Sequence, residues 1–143
     1  LRTQAIARAL PDYVTRHTAP GDTVLVWGYD PAVNLLSGRR SPSAYFYAHP
    51  LTLPGYSGPA RIAAFVDDLR AAQPALIIDE TLRDEIKVPP LDPARLELFY
   101  RNGGRRDLPD ITPVRDFVAE HCTVERRILM WGGPVTVYRC VYE

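Results

Sequence analysis

The side chains able to do chemistry in this chain of 143 residues gather where apolar runs end. Tyr29 and Asp30 follow Val24-Leu25-Val26-Trp27-Gly28. Tyr47 and His49 close Ala44-Tyr45-Phe46, and Asp79 closes Leu76-Ile77-Ile78. Open parallel sheets bind ligands beyond the carboxyl ends of their strands, so these residues suit a pocket for a small polar ligand such as a sugar or phosphate group. They have structural uses as well. Asp30 before Pro31 is a good helix N-cap, Asp79 fits a turn, and the tyrosines fit the edge of a core. Arg39 and Arg40, after Ser37-Gly38, form a second candidate. Paired guanidiniums can clamp an anion by charge-assisted hydrogen bonds. Alternatively, one can cap helix carbonyls while the other lies in water, and the sequence leaves both readings open.

Cofactor and nucleophile signatures are missing. Gly28-Tyr29-Asp30-Pro31-Ala32-Val33 is not G-x-G-x-x-G, and the chain has no P-loop and no G-x-S-x-G elbow. Asp67-Asp68 falls on the polar side of a helix. His17, His49 and His121 are scattered, and His121 beside Cys122 lacks metal-site spacing. No catalytic residue, cofactor or metal site is therefore expected. Seventeen basic residues balance seventeen acidic ones. Nucleic acid, which selects for a basic excess, is not an expected partner.

The elements that must position these residues follow from apolar spacing. Ile6, Leu10, Tyr13, Val14 and His17 lie at helical intervals, with Pro11 expected to kink or divide the helix. Thr23 to Trp27 is a continuous apolar run, as in a strand buried on both faces. Asp30-Pro31 opens a short helix with Leu35 and Leu36 expected inward and Gly38 at its end. Ser43 to Tyr47 reads as a second strand, and a proline-rich loop follows from Pro50 to Pro59. Pro59 to Gln73 is the clearest helix, with Ile62, Phe65, Val66 and Leu69 on one side. Ala75 to Asp79 is a third buried strand.

From Leu82 to Asp110 only Pro93 to Tyr100 has a helical pattern. Another helix carries Val114, Phe117, Val118 and His121. Thr123 to Trp131 and Val135 to Tyr142 read as a hairpin around Gly132-Gly133, with Pro134 arguing for more than a two-residue loop. The expected fold is a three-layer α/β domain over residues 1–143. Its sheet is mostly parallel and Rossmann-like, with helices on both faces and a C-terminal antiparallel hairpin. No apolar run is long enough to span a bilayer.

Cys122 and Cys140 are expected to remain free thiols. A two- or four-residue loop puts them on opposite faces of the ribbon. A three-residue loop leaves them about four positions out of register, roughly 13 Å at ~3.3 Å per residue, beyond disulfide reach.

Val24-Leu25-Val26-Trp27-Gly28-Tyr29-Asp30-Pro31, Leu35-Leu36-Ser37-Gly38-Arg39-Arg40, Tyr45-Phe46-Tyr47 and Pro50-Leu51 form a pattern, followed by the helix Arg61 to Gln73 and Pro74-Ala75-Leu76-Ile77-Ile78-Asp79. It resembles a soluble segment found after the last transmembrane helix of bacterial membrane glycosyltransferases of the dolichyl-phosphate-mannose–protein mannosyltransferase-like group, which use polyprenyl-phosphate-linked sugars. The likeness covers roughly residues 20 to 80 and includes no catalytic signature. It implies a domain cut from a longer bacterial membrane protein and placed on the periplasmic or extracellular side. The partners it implies are the membrane domain of the parent and a polyprenyl-phosphate sugar or glycan acceptor. The catalytic carboxylate would lie in the membrane domain, so none is carried over here. Tyr29, Asp30, Arg39, Arg40, Tyr47, His49 and Asp79 would then serve as a docking or ligand-guiding rim. The competing expectation is a stand-alone cytoplasmic nucleotide-binding or degenerate methyltransferase-like domain, against which the glycine-poor first loop argues.

Overall fold

A computed structural model describes residues 2–45, 48–81, 85–130 and 132–143. Its elements are α1 (Arg2–His17), β1 (Val24–Trp27), α2 (Ala32–Ser37), a 3₁₀ turn (His49–Thr52), α3 (Pro59–Ala72), β2 (Leu76–Asp79), α4 (Pro93–Arg101), α5 (Thr112–His121), β3 (Cys122–Met130) and β4 (Gly133–Cys140). The four strands form one open sheet in the order β1-β2-β4-β3. The two apolar runs pair parallel as expected, Val24 with Leu76 through Trp27 with Asp79. The hairpin then adds β4 antiparallel to β2, and β3 antiparallel to β4.

The sheet is therefore mixed, which corrects the mostly parallel, Rossmann-like expectation. Of the expected middle strand, Phe46 and Tyr47 lie outside the described residues, and 43–45 form no ladder. Beside β1 there is only an isolated bridge from Thr23 to Arg40, with Val24 N–H donating to Arg40 O at 2.9 Å. Serine hydroxyls compete with a ladder there. Ser41 Oγ donates to Tyr45 O at 3.1 Å, and Ser43 Oγ accepts from Tyr45 N at 3.1 Å.

Strand alternation divides the core between two faces. Leu25, Trp27, Ile77 and Tyr138 meet Ile62, Phe65, Val66 and Leu69 of α3 and Val114, Phe117 and Val118 of α5. Val24, Val26, Leu76, Ile78, Val135 and Val137 meet Leu10, Tyr13 and Val14 of α1 and Val33 of α2. Each fully buried aliphatic or aromatic side chain contributes about 1.5–3 kcal/mol. The expected helices on both faces are thus present. The indole of Trp27 keeps a polar partner, its Nε1 donating to Pro89 O at 2.8 Å.

Three local expectations change. α1 continues through Pro11 without dividing. α2 turns Val33 and Ser37 inward, four residues apart, which leaves Leu35 82% and Leu36 47% exposed. The hairpin closes with only two residues between Met130 and Gly133. Pro134 is accommodated opposite Leu129, beyond Thr136, where pairing with β2 has stopped. No ladder bond is needed from its nitrogen at that point.

The cysteine expectation is overturned. Cys122 and Cys140 form a disulfide, with their Cα atoms 4.0 Å apart. The sums of paired residue numbers change by one between Arg126↔Val137 and Val124↔Tyr138, because a bulge leaves Glu125 without a partner across the ladder. One inserted residue reverses side-chain parity, so Cys122 lands directly opposite Cys140.

Candidate functional site

The carboxyl ends of β1 and β2 meet through a close backbone approach. Gly28 has φ 155°, and a Cβ on it would stand 3.1 Å from Glu80 Cβ. Glycine is thus required where the chain passes over β2. Glu80 N–H donates to Trp27 O, and Ala48 N–H donates to Gly28 O, both at 2.8 Å. The second bond places His49 beside Tyr29, with ring centroids 5.1 Å apart.

Tyr29 OH donates to Glu85 Oε1 at 3.2 Å, and burial, reinforced by Glu85, pushes its phenol well above the ordinary range. Glu85 Oε1 also accepts from the backbone N–H groups of Ile86, Lys87 and Val88. A single carboxylate therefore fastens the next loop under the tyrosine. Asp30 Oδ1 accepts from Ala32 N at 2.9 Å, a turn onto the first residue of α2, but the cap position itself falls on Pro31, one residue later than expected.

Asp79 is fully buried and bonded on several sides. Oδ1 accepts from Thr81 N at 2.9 Å and Thr81 Oγ1 at 2.6 Å, and Oδ2 accepts from Leu91 N at 2.9 Å. Arg95 Nη1 lies 3.6 Å from Oδ2. Burial raises the Asp79 pKa, while Thr81, Arg95 and Leu91 pull it back. The geometry favours the ionised form, since Thr81 N, Thr81 Oγ1, Leu91 N and Arg95 Nη1 all turn donors toward its oxygens. Asp79 thus ties β2 to the 80–91 loop and α4 rather than facing a ligand.

Glu80, the second acid of the Asp79-Glu80 strand end, was not among the seven candidate residues, yet its carboxyl is strongly shifted here. Burial, then the negative charges of Asp30 and Asp79, pushes its carboxyl up to about 8. Its Oε1 is buried without a hydrogen-bond partner. The signal was the second acid in Asp79-Glu80, at the end of a strand with no room for a hydrated charge. Glu80 follows the strand whose end meets Gly28, the residue before Tyr29, so a raised carboxyl and the Tyr29–His49 ring pair belong to the same end of the sheet.

The seven candidate residues do not share one rim. Tyr29, Asp30, His49 and Asp79 lie at the carboxyl ends of β1 and β2, and Tyr47 lies outside the described residues. Arg39 and Arg40 lie at the opposite end, where Arg40 bridges Thr23. The two arginines also differ from each other. Arg39 is buried; its Nε donates to Thr18 Oγ1 at 2.9 Å, Nη1 to Ser37 O at 3.2 Å, and Nη2 to Thr18 O at 3.1 Å and Thr15 O at 3.4 Å. It caps the last carbonyls of α1 and α2, the structural alternative left open above. Arg40 is exposed.

Among the described residues, no group of three or more His, Cys, Asp or Glu is placed to hold a metal ion, and no helix is long and apolar enough to cross a membrane. No protein-family model, curated protein or solved structure matches the chain.

Proposed function

We propose that this chain is a non-catalytic, extracytoplasmic accessory domain of a bacterial membrane glycosyltransferase that uses a polyprenyl-phosphate-linked sugar. The observation that carries the compartment is the Cys122–Cys140 disulfide. Such bonds form and persist in oxidising environments and are rare in the cytosol. The transferase assignment rests on the residue pattern from Val24 to Asp79. In this reading catalysis belongs to the membrane domain of the parent, which is the domain's main partner. Tyr29, His49 and Glu80 form the face that meets a glycan or an adjacent loop, since an aromatic ring and a proton-exchanging carboxyl suit a polyhydroxylated ligand.

Two measurements test the proposal. Thiol trapping in intact cells should find Cys122 and Cys140 oxidised in the parent protein. Deleting residues 1–143 from that protein should lower sugar transfer in membranes, while the isolated chain transfers none. Reduced cysteines in cells, transfer by the chain alone, or full activity without residues 1–143 would each overturn it.

A further inference from the structure

A groove of about 600 Å³ runs along α2, from Pro31 to Arg40, Ser41 and Ser43 near the amino end of β1. Pro31 and Leu35 give it apolar walls, and Gly38, Arg40, Ser41 and Ser43 line it further. Among the described residues, no acidic side chain lines it. Arg39 also borders the groove, but its donors are directed at backbone carbonyls and Thr18. Arg40 has no hydrogen bond or ion pair to another described side chain. Ser43 Oγ accepts from Tyr45 N and keeps its own proton for donation. The groove therefore offers a cation and a hydroxyl donor next to apolar walls. Leu35, 82% exposed, lines it, and Leu36, 47% exposed, is the next residue of α2. Scattered exposed leucines are ordinary, but two consecutive ones on the helix that walls a groove with an unpaired cation make a two-part surface.

We propose that this α2 surface docks on anionic phospholipid, with Leu35 and Leu36 entering the acyl boundary and Arg40 and Ser43 holding a lipid phosphate. Charge complementarity selects this occupant, since the groove has a cation to neutralise and no carboxylate to repel a phosphate. The two leucines supply apolar contact that a free soluble anion would leave in water. α1 and α2 cover the same face of the sheet, so a membrane lying against α2 lies along that helical layer. The inference extends the proposed function, resting on its placement of the domain beside a membrane, and it is tested without any sugar transfer.

The purified, oxidised chain is sedimented with vesicles of phosphatidylcholine alone and of phosphatidylcholine with phosphatidylglycerol, at low and high salt. Binding to the anionic vesicles only, weakened by salt, is expected. Arg40→Gln should lower partitioning about fivefold, and Leu35→Ser with Leu36→Ser about tenfold or more. Thermal unfolding reports whether each variant stays folded, and these exposed positions should leave it unchanged. Equal binding to neutral vesicles, no binding by the intact chain, or undiminished binding by folded variants overturns the proposal. So does full competition by glycerol phosphate, which would assign the groove to a soluble anion. A dimer in sedimentation velocity that the leucine variants abolish would assign the surface to a second copy and likewise overturn it. Deletion results on sugar transfer bear on the proposed function and leave this surface to the vesicle measurements.

Discussion

Glu125 stands out of register in β3, and its carboxylate accepts from Tyr13 OH at 2.6 Å, linking the bulge to α1. Arg139 Nε donates to Glu125 Oε1 at 2.9 Å from the neighbouring strand. Arg139 and Tyr13 hold the Glu125 carboxyl below its ordinary range. The bulge that aligns Cys122 with Cys140 is thus fixed by contacts from two other elements.

The disulfide should be quantitative in the native chain. Titration of the unreduced, denatured protein should find no free thiol, and reduction should expose two. Its loop spans 18 residues, so Cys122→Ser with Cys140→Ser should cost on the order of 3 kcal/mol in urea unfolding. An unchanged midpoint would show that β3–β4 pairing alone holds the hairpin.

The two adjacent arginines should separate cleanly. Arg39→Ala strips donors from the ends of α1 and α2 and should cost roughly 2–3 kcal/mol. Lysine should restore only part of this, because it lacks the planar fork. Arg40→Ala should stay within about 0.5 kcal/mol. Equal losses at both positions in thermal or urea melts would contradict the assignment.

Asp79→Ala should destabilise by about 3 kcal/mol, because it leaves Thr81 N and Leu91 N without their acceptor and Arg95 without its counter-charge. Asp79→Asn should also be destabilising. Its amide group would point a donor at either Thr81 or Leu91. Proteolysis within the 80–91 loop is a sensitive readout, and unaltered cleavage there would argue against the tie.

Glu80 makes stability depend on pH. Its carboxyl rises from an ordinary 4.5 to about 8 on folding, so between those values the folded chain holds a proton that the unfolded chain has released. Its contribution is fully present below about 4.5 and is lost as pH rises toward 8, on the order of a few kcal/mol. Glu80→Gln should flatten that slope and be more stable than the parent sequence at pH 8. Urea midpoints from pH 5 to 9 that fall equally in both proteins would remove Glu80 as the cause.

The sequence by itself determined the apolar runs of β1 and β2, the α3 and α5 faces, and the Gly38 stop. Each depends on the spacing and chemistry of neighbouring residues. Tertiary structure decided what lies beside each strand. Among the described residues 43–45 join no ladder, with Ser41 and Ser43 bonded to the Tyr45 backbone, and the hairpin strand β4 pairs with the free edge of β2. Only folding showed that Arg39 is consumed by carbonyls while Arg40 is free, since the deciding partners, Thr15 and Thr18, lie 24 and 21 residues away. Counting along the hairpin predicted separated cysteines because it assumed an unbroken register. A bulge adds one residue, and side-chain direction in a strand alternates with period two. The bulged Glu125 is bonded to Tyr13, 112 residues earlier, a contact that exists only once α1 has packed on the sheet.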